Sequence, residues 1–122
     1  MSKKILVVED TEDNRQILRD LLGMAGYEMI EANDGAEGVA KAAEHKPDLI
    51  LMDIQMPVMD GYEATRRIKA NPALKSIPIV AVTSYALSGD EQKTRDAGCD
   101  AYIAKPYSPR QMLAKVREIL GA

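Results

Sequence analysis

The stretch "LILMDIQMPVMDG", residues 49–61, decides how the chain folds. It opens with four apolar residues, stops at Asp53, and runs on through Pro57 to the Asp60-Gly61 pair. A continuous apolar run of this length fits a strand covered on both faces, the kind found in parallel sheets sandwiched between helices. Nearly unbroken runs of the same kind recur as "KILVV" (4–8) and "PIVAVT" (78–83), and "YEMIEA" (27–32) and "AYIA" (101–104) read as the two remaining strands. Helical patterns alternate with them from end to end, so the chain reads as five βα units around one parallel sheet. Asp53 then stands at the carboxyl end of the most buried strand, where a lone acid needs a reason.

The predicted helices mark their own limits. Ile17, Leu18, Leu21 and Leu22 form the apolar face of the first helix, and Ala36, Val39, Ala40 and Ala43 that of the second. Asp60 with Glu63 starts the third, and Ser88 with Glu91 starts the fourth, which stops at Gly98. Ser108, Pro109 and Gln111 supply cap, first-turn proline and capping-box partner for the fifth, lined by Met112, Leu113, Val116, Ile119 and Leu120. The fourth helix, "GDEQKTRDA", has hardly any apolar face, so packing holds it weakly. It is either a solvated helix or a movable, partner-binding surface.

Composition excludes several function classes. The chain has 122 residues, 46% hydrophobic and 29% charged, the balance of one ordinary globular domain spanning residues 1–122. No apolar run approaches membrane-spanning length, and the N-terminal "MSKKILVVED" lacks the core of a signal peptide, so a cytoplasmic protein is expected. A net charge of -3 without a basic stripe argues against nucleic acid. One cysteine, Cys99, and one histidine, His45, build no disulfide and no Cys/His metal site. Cys99 reads as a small packed residue and His45 as an exposed helix end. The starting Met1 and the lack of a linker favour a complete single-domain protein.

In an open parallel sheet, ligands bind beyond the carboxyl ends of the strands. There the first strand leaves Glu9 and Asp10, the third Asp53, the fourth Thr83 and Ser84, and the fifth Lys105 followed by Pro106. Each alone has an ordinary explanation as a turn, cap or surface group. Together they converge on one crevice with groups suited to phosphate and a divalent cation. Converging carboxylates repel, and an oxygen-coordinated cation such as Mg²⁺ holds them together. A carboxylate left free is a nucleophile toward phosphorus, and Asp53, isolated on the most buried strand, takes that role.

With "ILVVED", "LILMDIQMPVMDG", "VAVTSYA" and "AYIAKP" in this order, the chain resembles the receiver domains of two-component response regulators over nearly its full length. The spacing agrees: Thr83 lies thirty positions after Asp53, and Lys105 twenty-two after that. The stretch "GDEQKTRDAGCDAYIAKP" is most similar to single-domain regulators of the cell-division-control type. The resemblance implies a flavodoxin-like, doubly wound (βα)₅ fold of strand order 2-1-3-4-5. It implies that Asp53 accepts a phosphoryl group from the phosphohistidine of a sensor histidine kinase or a phosphotransfer protein. Asp10, Asp53 and the backbone carbonyl of Gln55 would bind Mg²⁺, for which Mn²⁺ is a substitute, with Glu9 acting through water. Thr83, Lys105 and the Ser84 N–H would contact the phosphoryl oxygens, and Lys105-Pro106 would be a cis peptide. Tyr102 would turn inward as Thr83 moves, switching the face made by the fourth helix, fifth strand and fifth helix for an unknown protein target. Gln55 and Tyr85 hold the positions that set phosphoryl lifetime, and Tyr85 is expected to shield the group from water. Apart from its own phosphorylation and dephosphorylation the domain would not be an enzyme, and it would be a monomer or a weak phosphorylation-dependent dimer.

The chain departs from many relatives in having Glu9 where they have Asp, a change that should leave metal binding intact. Met52, Met56 and Met59 read as packing groups, since thioether sulfur is too soft for magnesium. A haloacid-dehalogenase-type phosphatase would need a second aspartate where Gln55 stands. A nucleotide or flavin binder would need a glycine-rich loop after the first strand. A pseudo-receiver that binds protein without phosphorylation is opposed by the full set of acids, threonine and lysine.

Overall fold

The computed structural model describes residues 3–56, 59–83 and 90–121. Five strands, β1 (Lys4–Val8), β2 (Glu28–Ala32), β3 (Leu49–Asp53), β4 (Ile79–Thr83) and β5 (Ala101–Ala104), form one parallel sheet in the order β2-β1-β3-β4-β5. Five helices connect and follow them: α1 (Glu12–Met24), α2 (Gly35–His45), α3 (Gly61–Lys69), α4 (Asp90–Ala97) and α5 (Pro109–Leu120). This is the expected doubly wound fold.

Side chains alternate across the sheet and build two cores. Leu6, Val8, Ile50, Met52 and Ala81 face α2 and α3, where Ala42, Ala64 and Ile68 complete the packing. Ile5, Val7, Leu49, Leu51, Val80 and Val82 face the other way, onto Leu18 and Leu22 of α1 and Met112 and Val116 of α5. The three central strands are thus apolar on both faces, which is why β3 reads as a continuous run.

Two of the expected caps, Asp60 and Ser108, are present. Asp60 accepts the Glu63 N–H at 2.9 Å, and Ser108 and Gln111 form a reciprocal capping box with Pro109 in the first turn. Gly98, at φ 104°, follows the last residue of α4. Only the small residues Thr94 and Ala97 of α4 are buried among its described side chains, in keeping with its polar sequence. Ser88, expected to cap α4, lies outside the described residues.

Two predicted helix faces need correction. In α2 the buried residues are Gly35, Gly38 and Ala42, while Ala36, Ala40 and Ala43 are exposed. A Cβ on Gly38 would lie 2.8 Å from a methyl of Val8, so α2 approaches β1 closely on its glycine side. Alanines mislead here because they count as apolar, whereas glycine offers close approach and no hydrophobic signal. In α1, Ile17 is 54% exposed and Arg15 is buried instead, because the guanidinium finds partners at the end of β1 and β2.

Candidate functional site

Strand register brings the predicted residues to one edge. Val8 pairs with Met52, setting Glu9 level with Asp53, and Asp53 pairs with Val82, so Thr83 stands one residue further on. Thr83 pairs with Ala104, and Lys105 follows. The order reverses at β1, whose neighbours are β2 and β3, and there the helices diverge to opposite faces. The crevice left between them holds the acids.

Asp53 is 3% exposed, and a carboxylate so buried requires partners. Its Oδ1 accepts from Lys105 Nζ at 3.2 Å and from the Gln55 N–H at 3.2 Å. Thr83 is also buried, and its Oγ1 accepts from Gln55 Nε2 at 2.9 Å. The Lys105–Pro106 peptide is cis. Behind Asp53, the N-terminus of α3 sits hard against the strand end. A Cβ on Gly61 would collide with the Asp53 carbonyl oxygen and come within 2.8 Å of Ile54 Cα, so only glycine fits.

Glu9 is held on every side. Its Oε2 accepts the Thr11 N–H at 3.0 Å, its Oε1 accepts from Asn14 Nδ2 at 3.3 Å, and Lys105 Nζ lies 3.8 Å away. Burial pushes its carboxyl up to about 7, with the Thr11 N–H pulling it back and the charge of Asp53 adding to the rise. Asp10 is exposed at the mouth of the crevice. One carboxylate oxygen each from Glu9, Asp10 and Asp53 lie within 4.8 Å of one another. An all-oxygen donor set of three acids at this separation fits a hard divalent cation such as Mg²⁺.

Tyr102 is half-buried on β5 and borders an open cavity of about 650 Å³ that runs between α4 and α5. Ser84 and Tyr85 lie outside the described residues. Cys99 packs against the core with Sγ 3.7 Å from Thr65 Oγ1, and burial raises its thiol above the ordinary range. His45 is exposed at the end of α2, 3.2 Å from Glu44.

Sequence reasoning missed Asn14, Arg15 and Tyr107. Asn14 grips the Glu9 carboxylate, Arg15 Nη1 donates to the Glu9 carbonyl at 2.6 Å, and Tyr107 lines the crevice beside Glu9 and Lys105. The first two follow Glu9 by five and six positions, the spacing at which the first turn of α1 folds back over the strand end. That signal is visible only once the helix start is fixed.

Residues 5–117 match the family described as "Response regulator receiver domain". The chain is 45% identical over 121 residues to the polar-differentiation response regulator DivK of Brucella anthropi, covering 99% of this chain and 98% of that one. Among solved structures it is similar to the chemotaxis protein CheY4 of Vibrio cholerae, at 32% identity and a TM-score of 0.93 over 98% of this chain and 100% of that one. It is equally similar to the receiver domain of a sensor histidine kinase from Pseudomonas aeruginosa, at 35% identity and a TM-score of 0.92 over 100% of both. That structure contains a magnesium ion coordinated in its active site cleft. Among the described residues no helix is long and apolar enough to cross a membrane.

Proposed function

The chain belongs to the receiver-domain family of two-component response regulators, and on that premise we propose that it takes a phosphoryl group onto Asp53. Receiver domains work with histidine kinases and phosphotransfer proteins, and are not conventional enzymes. The observation that carries the proposal is the setting of Asp53: a carboxylate 3% exposed, 3.2 Å from a lysine ammonium, with two further acids within reach.

In this reading an oxygen of Asp53 attacks the phosphorus of a partner's phosphohistidine. A P–O bond forms, the P–N bond breaks, and its electron pair leaves with the imidazole nitrogen, which takes a proton from solvent. The product is an acyl phosphate on Asp53 and a free histidine. Glu9, Asp10, Asp53 and the Gln55 carbonyl would hold Mg²⁺, Glu9 through water. When bound, the cation supplies positive charge for the phosphoryl oxygens. Lys105 follows the negative charge from Asp53 onto the phosphoryl group. The Thr83 hydroxyl can keep accepting from Gln55 while donating its own proton to a phosphoryl oxygen. Burial of Asp53 and Thr83 keeps bulk water off the reacting atoms.

Output follows by population shift. An arrangement in which Thr83 and Lys105 reach the phosphoryl oxygens gains population, Tyr102 turns inward, and the surface of α4, β5 and α5 changes for a protein target in the cytoplasm. The polar α4, whose buried residues among the described side chains are the small Thr94 and Ala97, is easily displaced. The test is incubation with a small acyl phosphate donor and Mg²⁺, read by intact mass. One added phosphoryl group is expected, absent without metal and absent in Asp53→Asn. Wild-type protein left unmodified by excess donor refutes the proposal and leaves a pseudo-receiver.

A further inference from the structure

Arg15 is 8% exposed, and burying a guanidinium is costly unless its bonds are good. It bonds three segments at once. Nη1 donates to the Glu9 carbonyl at 2.6 Å, Nη2 to Glu12 Oε2 at 2.6 Å, and Nε faces Glu31 Oε1 at 3.4 Å. The two glutamates do not need it. Arg19 already grips both oxygens of Glu31, at 2.8 and 2.6 Å, and reaches Glu12 Oε1 at 3.1 Å. The contact made by Arg15 and not by Arg19 is the one to the Glu9 carbonyl.

That carbonyl lies in the peptide plane joining Glu9 to Asp10. The plane on the other side of Glu9 is tied down by its own N–H, which donates to the Ala32 carbonyl at 3.0 Å. Arg15 fixes the second plane, and this sets the direction in which Asp10 leaves the chain. Asp10 is exposed and needs such a fixture, since its cation-facing oxygen must stay within 4.8 Å of Glu9 and Asp53. We infer that Arg15 is a positioning residue for the acid cluster, aiming Asp10 through the Glu9 carbonyl. This rests on the proposed function, because it assumes that the acids bind a cation.

The experiment titrates Mg²⁺ into the metal-free full chain by calorimetry, with folding checked by circular dichroism. Arg15→Met keeps the apolar stem and removes all three contacts. Arg19→Met breaks the same ion network at Glu12 and Glu31 but leaves the Glu9 carbonyl untouched. A loss of about tenfold or more in Mg²⁺ affinity is expected for Arg15→Met, the size typical of groups that orient metal ligands, with wild-type affinity for Arg19→Met. Arg15→Lys, whose single ammonium cannot span three acceptors, should fall between and carries the test if Arg15→Met does not fold. Unchanged affinity in a folded Arg15 variant overturns the inference, as does an equal loss in the Arg19 variant. In both cases a wild-type protein that binds Mg²⁺ leaves the phosphoacceptor reading standing. Wild-type protein that binds no Mg²⁺ overturns both.

Discussion

Gly61→Ala tests whether the site is built on close backbone contact. The first residue of α3 lies against the end of β3, and its own N–H donates to the Ile54 carbonyl at 3.1 Å. A Cβ there would strike the Asp53 carbonyl oxygen, and would stand 2.8 Å from both Ile54 Cα and Ile54 Cδ1. Carbon atoms rest near 3.5–4.0 Å, so α3 and the strand end must part by roughly 1 Å. The side-chain contact can turn away, but the two backbone contacts cannot. Overpacking of this kind costs about 1–3 kcal/mol. Alanine's better helix propensity returns less than about 1 kcal/mol, because the residue is at the helix start. A net loss of about 1–2 kcal/mol lowers Tm by roughly 3–10 °C in a domain of this size. The displaced atoms flank Gln55, so Mg²⁺ affinity should fall with stability. Thermal and urea unfolding, with a Mg²⁺ titration, give the result. Wild-type Tm together with wild-type Mg²⁺ affinity would refute the idea that α3 and β3 are held apart only by the thickness of a glycine.

Gly23 is the counterpart, with nothing within 4 Å of a built Cβ and an ordinary helical position in α1. Gly23→Ala should raise stability by about 0.5–1 kcal/mol, and a lower urea midpoint would contradict this. The Glu9 carboxyl, pushed up to about 7 from an ordinary 4.5, gives the folded protein more bound protons than the unfolded chain between those values. Metal-free stability should therefore fall as pH rises through that window and level off above it, and Glu9→Gln should flatten the profile. Cation binding runs the other way, since Glu9 must lose its proton. Mg²⁺ affinity should rise with pH by at most about tenfold per unit up to about pH 7, and equal affinity at both ends of the window would count against the assignment.

Much was legible in the sequence because its signals are local. Nearly unbroken apolar runs marked β1, β3 and β4, the alternation of short strands with helical patterns marked β2 and β5, all to within one residue, and Asp60 and Ser108 marked two helix starts, since a cap is a bond between neighbours. Strand ends also nominated Glu9, Asp10, Asp53, Thr83 and Lys105, because a parallel sheet delivers every carboxyl end to one edge. Tertiary structure decided what depends on distance between segments far apart in the chain. It turned α2 onto its glycines, exposed Ile17 and buried Arg15 in its place. It set Gly61 against Asp53 and gave the Glu9 carboxyl its burial and its three neighbours. Periodicity reports which residues avoid water. It carries no record of how closely two backbones approach or where a buried cation finds its acceptors, because those are fixed only when the helices settle on the sheet.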